Sequence, residues 1–128
     1  MPIVHIHIAA GRGPAEKKAI LDGVHAALVE AFKIPEHDRN QILHEHDPEN
    51  FESAHGREFT LVEVTAFPGR SAEAKARLYA GIVENLRSSP GIDPAKVLIV
   101  IHEPPLESWG IKCGHPASQV GVGFKLDV

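Results

Sequence analysis

The 128-residue sequence has one cysteine, Cys113, so no disulfide can close within the chain, and a reducing compartment suits it. Its apolar runs are short, and none approaches the ~20 residues that a bilayer-spanning helix needs. After Met1 the chain reads PIVHIHIAAGR, with neither a basic lead nor a cleavable apolar stretch. No secretory signal is expected, and the expected location is cytoplasmic. A net charge of −4 with interspersed signs lacks the basic footprint of a nucleic-acid binder. Gly-x-Gly-x-x-Gly, phosphate-loop and Gly-x-Ser-x-Gly patterns are missing, which removes support for nucleotide and serine-hydrolase chemistry. What remains, at 43% hydrophobic and 23% charged residues, is the composition of a globular domain with a real apolar core.

The chain resembles itself. Sliding it by 58 positions lays residues 3–45 on 61–103 without a gap. Gly11-Arg12 falls on Gly69-Arg70, Lys17 on Lys75, Gly23 on Gly81, and His44-Glu45 on His102-Glu103. Matched Gly-Arg and His-Glu pairs in one register point to a duplication. Each copy reads as strand, helix, strand. Ile3 to Ile8 is β-branched and short, as strands are. Pro14 suits a first helical turn, and Ile20, Val24, Ala27, Leu28 and Ala31 recur at helical spacing until Pro35. Asn40 to Glu45 supplies the returning strand. The second copy runs from Leu61–Ala66 through a helix capped by Ser71 to Val97–Ile101.

The expected fold is therefore α/β: tandem β-α-β units forming a four-stranded sheet with two helices on one face. Right-handed crossovers should make the strands within each copy parallel. One domain over 1–128 is expected, with units at about 2–46 and 60–103, a polar loop from Asp47 to Arg57 and a tail at 104–128. Val120 to Leu126 has the pattern of a final strand. Two helices cover only one sheet face, so the other face is expected to meet further subunits.

Candidate chemistry is sparse. Methionine before proline is normally removed, which would leave Pro2 as a secondary amine. Arg12 and Arg70 each follow a strand and a glycine just before a helix, where an exposed guanidinium can grip a carboxylate. Asp38 lies in the loop after Pro35, and Trp109, the sole tryptophan, lies in the tail. Nine histidines include His5-x-His7 and His44-x-His46. A zinc site needs three or four converging ligands, and no thiolate cluster or His-Glu-x-x-His accompanies them. Neither a metal nor another cofactor is expected.

The opening PIVHIHIAAGR followed by AEKKAIL resembles 4-oxalocrotonate tautomerase. The tandem duplication, PEHDRNQ, GRSAEAK and the late Trp109 resemble the fused, malonate semialdehyde decarboxylase-like group of the tautomerase superfamily. This resemblance implies a homotrimer acting on a small carboxylate, with Pro2 as catalytic base, Asp38 polarising water or a substrate oxygen, and Arg70 as a catalytic arginine. It places Arg12 where the short tautomerases grip a carboxylate, and Trp109 as a candidate pocket wall. Within Phe67-Pro68-Gly69-Arg70-Ser71 the first arginine of the decarboxylase pattern is missing. That departure favours keto–enol tautomerisation of a 2-oxo acid. Two alternatives stand beside it: decarboxylase or hydratase chemistry with Asp38 activating water, and a non-catalytic trimeric binding protein of the same fold.

Overall fold

A computed structural model describes residues 2–128. The expected loss of Met1 concerns a residue outside that range. Strand β1 (Ile3–Ala9) leads to helix α1 (Pro14–Phe32) and strand β2 (Gln41–His46). Strand β3 (Thr60–Thr65), helix α2 (Ala72–Ser88) and strand β4 (Val97–His102) repeat the plan. The sheet order is β2-β1-β3-β4. The β1–β2 and β3–β4 pairs are parallel, and the copies meet through an antiparallel β1–β3 pair. Both copies thus share one sheet, as the duplication requires.

Period-two alternation decides which side of that sheet is buried. Val4, Ile6, Ile8, Val62 and Val64 point under the helices and are almost fully buried. From α1, Ile20, Val24, Ala27, Leu28, Ala31 and Phe32 meet them, and from α2 come Ala74, Leu78, Ile82 and Leu86. The helices can approach closely because each crosses the other at a glycine. A Cβ on Gly23 would lie 3.2 Å from the Asn85 Cβ, and one on Gly81 would lie 3.3 Å from the Ala27 Cβ. These contacts are related by the duplication, since Gly23 corresponds to Gly81 and Ala27 to Asn85. So are two ion pairs that tie each helix to its returning strand: Lys17–Glu45 at 2.7 Å and Lys75–Glu103 at 2.6 Å.

Among the described residues, neither α1 nor α2 covers the opposite sheet face. Ile42 and Leu98 are about half exposed there, at 48% and 53%. The tail differs from its expected form. Residues Val120 to Leu126 make no strand: α3 (Ala117–Val120) precedes a stretch without ladder pairing. Gly121 and Gly123 take positive φ values of 73° and 83°, which breaks an extended run. The alternation instead serves packing, with Val122, Phe124, Leu126 and Val128 half-buried against the two apolar clusters of the chain. The Val128 carbonyl accepts a hydrogen bond from the Ser71 amide at 2.9 Å, fastening the tail at the start of α2. A small hairpin, β5 (Gly110–Ile111) with β6 (His115–Pro116), carries the chain to that point.

Candidate active site

Pro2 lies buried at the head of β1. The loop entering β2 holds it there. The Asn40 carbonyl accepts from the Val4 amide at 2.9 Å, and the Asn40 side-chain amide donates to the Pro2 carbonyl at 3.3 Å. The same Asn40 nitrogen donates to an Asp38 carboxylate oxygen at 3.1 Å. Two N–H bonds on one amide allow both contacts at once. Neighbouring side chains clamp this loop to α1: Arg39 reaches Asp22 at 2.6 Å, and Gln41 donates to the Leu21 carbonyl at 3.0 Å.

A hollow of about 360 Å³ opens beside Asp38 and Asn40, with Pro35, Val122, Gly123 and Phe124 also lining it. Beyond Phe124 lies Arg70. Its guanidinium sits 5.8 Å from the Phe124 ring centre and 4.8 Å from that of Phe32. Arg70 was expected to be exposed at a helix start, but it is only 6% exposed. The physical reason is the tail, which folds back across the α2 N-terminus and covers it. Nη1 donates to the Phe67 carbonyl at 2.9 Å, while Nε and Nη2 are buried without a hydrogen-bond partner. Burial pushes the Arg70 pKa down, opposed by the nearby charges of Glu103 and Asp38. An arginine remains a cation under such a shift. Two buried N–H donors without acceptors form a costly arrangement that an incoming anion would relieve.

Trp109 belongs to the support of this region. Its indole N–H donates to the Pro104 carbonyl at 3.0 Å, and its ring packs 4.6 Å from that of Phe67. Ile3, the residue after Pro2, packs into the same cluster with Phe124 and Leu126. The N-terminal end of β1 and the Arg70 region therefore share one apolar wall. Arg12 is differently placed: its guanidinium is spent on Glu16, one turn along α1, at 2.8 Å. Phe124 and Asn40 were not singled out by sequence. Phe124 had a weak signal in the alternating tail, whereas Asn40 appeared only as the start of the expected strand and within PEHDRNQ, without a role of its own.

Other features do not compete. A larger hollow of about 520 Å³ lies between α1 and the loop after it, lined by Asp22, His25, Glu30, Glu36 and Arg39. Arg39 is already paired with Asp22 there, and the His25 ring bonds the Glu36 carbonyl at 2.7 Å. On the open sheet face, His5 bonds His44 at 2.8 Å and His7 bonds His46 at 2.9 Å. Among the described residues, no group of three or more histidine, cysteine or acidic side chains is arranged to hold a metal ion.

Comparison with known proteins agrees with this architecture. Two sequence profiles, both described as tautomerase enzyme, match residues 2–54 and 38–112. The chain belongs to the tautomerase family. It is 32% identical over 122 residues to a protein named probable tautomerase YrdN from Bacillus subtilis (strain 168), covering 89% of this chain and 93% of that one. A malonate semialdehyde decarboxylase, FG41, crystallised with 3-bromopropiolate, is 30% identical and covers 96% of this chain and 99% of its own, with a TM-score of 0.83. A fused 4-oxalocrotonate tautomerase (4-OT) described as a symmetric trimer is 28% identical, covers 94% and 99%, and also gives a TM-score of 0.83. No helix among the described residues of this tautomerase-family chain is long and apolar enough to cross a membrane.

Proposed function

We propose that the Met1-free chain is a tautomerase that moves a proton between carbon and oxygen of a small 2-oxo carboxylic acid. The observation that carries this reading is the buried Arg70 guanidinium with two unpaired donors, packed behind Phe124, a wall residue of the hollow that Asp38 and Asn40 also line. The substrate class is a small 2-oxo monocarboxylate. Its carboxylate would satisfy Nε and Nη2 in the two-pronged geometry that arginine favours. The Phe32, Phe67 and Phe124 rings would exclude water from the enolate that forms.

Pro2 then serves as base and, after the transfer, as acid. An α-amine titrates near ~7.7–8.0 in the absence of neighbours. Lowering such a value from ~8 by one unit raises the neutral fraction at pH 7 from about a tenth to about a half. That gain is only about fivefold, so orientation and charge stabilisation by Arg70 supply most of the acceleration. Homotrimer formation fits the helix-free sheet face and its exposed Ile42, Leu98 and Val100.

Retaining Met1 is the decisive test, because an acylated Pro2 nitrogen has no basic lone pair. With each N-terminus verified by mass spectrometry, the Met1-free protein should convert an enol of a 2-oxo acid. The Met1-retaining form should lose about a hundredfold or more. Equal turnover by both forms would sink the reading. A second reading draws on the Asp38 carboxylate tied to Pro2 through Asn40: Asp38 activates water for hydration or decarboxylation of a 3-oxo acid. Release of carbon dioxide from malonate semialdehyde distinguishes the two.

A further inference from the structure

We infer that Asn40 is a positioning residue that fixes the Asp38 carboxylate relative to the Pro2 amine, so that Asp38 and Pro2 act as one unit. This rests on the proposal that Pro2 is the base. The side-chain amide of Asn40 spans the Pro2 carbonyl and an Asp38 oxygen, while the Asn40 backbone carbonyl accepts from the Val4 amide. Held at both ends, it behaves as a strut. It is also uncharged, so it can hold an anion near the amine without adding a positive charge that would cancel the effect of that anion.

The duplication supplies a second, independent argument. The second-copy counterparts of Pro2, Asp38 and Asn40 are Thr60, Lys96 and Leu98. None of the three retains its chemistry. Thr60 is buried with its hydroxyl on the Glu58 carbonyl, Lys96 pairs with Glu58 at 3.3 Å, and Leu98 faces the open side of the sheet. The scaffold around them is kept, as the Lys17–Glu45 and Lys75–Glu103 pairs show. The three residues that hydrogen bonds join in the first copy thus have no chemical equivalent in the second.

Three variants test the strut: Asn40→Ala removes it, Asn40→Ser keeps a shorter donor, and Asn40→Asp puts an anion in its place. Two readouts are taken on Met1-free protein. One is the pH profile of kcat/KM. The other is the pH dependence of Pro2 acetylation by trace acetic anhydride, which reports the amine whether or not it is the base. Asn40→Asp puts a negative charge beside the Pro2 carbonyl, on the same residue as the amine, and should move the amine's titration upward by roughly half a unit. Asn40→Ala should lower kcat about tenfold with little change in KM, and Asn40→Ser should recover part of that loss. An acetylation curve and kcat unmoved in Asn40→Asp and Asn40→Ala, with the Pro2-dependent activity intact, would overturn the inference. Failure of the Pro2 proposal looks different: wild-type turnover would then be insensitive to blocking the amine, whatever the variants do to its titration.

Discussion

The two copies of the β-α-β unit share a backbone plan, yet they hold their matched arginines in opposite ways. Arg12 lies in partial exposure and is neutralised by Glu16. Arg70 follows the same Gly-Arg step, with Gly11 and Gly69 at the same φ of 127°, but is buried with two donors unpaired. The residue itself does not decide between these fates. What differs is the tail, which exists once and closes over the Gly-Arg step of the second copy, where Leu126 meets Gly69, while Gly11 in the first copy meets nothing within 4 Å. It brings Phe124 onto the Arg70 guanidinium and sets Leu126 against Gly69, where an added Cβ would lie 3.2 Å away. Duplication thus supplied two equivalent places, and one non-repeated segment made them inequivalent.

The largest expected effect sharpens that contrast. Arg70→Met should lower kcat/KM for a 2-oxo acid enol by about a hundredfold to a thousandfold, the range seen when one donor to a developing oxyanion is lost. Its stability should be unchanged or raised by about 1 kcal/mol, because the substitution removes a buried charge and two unsatisfied donors. Arg12→Met should do neither: its pair with Glu16 is of the kind that contributes ~0.3–0.5 kcal/mol, and its guanidinium is already occupied. Steady-state kinetics and thermal melts on both variants decide the matter. A large kinetic loss at Arg12 with none at Arg70 would reverse the assignment of the carboxylate grip.

That contrast also marks how far the sequence could be read. Strands and helices were legible because the apolar periods are clean and appear twice, so each copy supports the other. Gly23 and Gly81 were matched in sequence before their role at the helix crossing was visible. Arg70's burial was not legible, since it depends on a tail without a second copy to calibrate it. There the alternation of Val122, Phe124 and Leu126 resembled a strand, but it packs onto a surface without joining a ladder. Asn40 was hidden for another reason. Its place at the site comes from contact with Pro2, 38 residues away, and no local pattern announces such a contact.

A second, smaller effect concerns the open sheet face. The first copy carries His5, His7, His44 and His46 there, where the second has Glu63, Thr65, His102 and Pro104. The hydrogen bond between His5 and His44 even has its counterpart in Glu63 and His102, at 3.3 Å. The His7 pKa is pushed below its ordinary 6.5, first by desolvation and then by His44 and His46, with Glu63 opposing through its charge and a hydrogen bond. The unfolded chain therefore binds a proton at His7 more readily than the folded one. Stability should be highest above about pH 6.5 and fall as pH drops through the window just below it. Melting temperatures between pH 7.5 and 5.5 should show this slope, and His7→Thr, which copies the second unit, should flatten it. An unchanged slope in that variant would remove His7 from the explanation.

The smallest expected effect lies at the helix starts. Ser71 and Gly13 occupy the same cap position with nearly the same backbone, φ −71° and ψ 162° against φ −76° and ψ 170°. Ser71 accepts a hydrogen bond from the Ala74 amide at 3.1 Å, while Gly13 has no side chain with which to do so. The equivalent donor in the first copy is the Glu16 amide. A Cβ at Gly13 would meet nothing within 4 Å, and its φ is one that any residue adopts. Gly13→Ser should therefore stabilise the chain by a few tenths of a kcal/mol through the cap, with some further gain from a stiffer unfolded chain. Ser71→Ala should cost about 1 kcal/mol by the same physics in reverse. Equilibrium denaturation of the two variants and of their combination would show whether the starts are independent. Additive changes would mean that each cap serves only its own helix. A Ser71→Ala cost well above 2 kcal/mol would instead show that the Ser71 side chain also holds the tail that closes over Arg70, since the Ser71 amide is where the Val128 carbonyl is fastened.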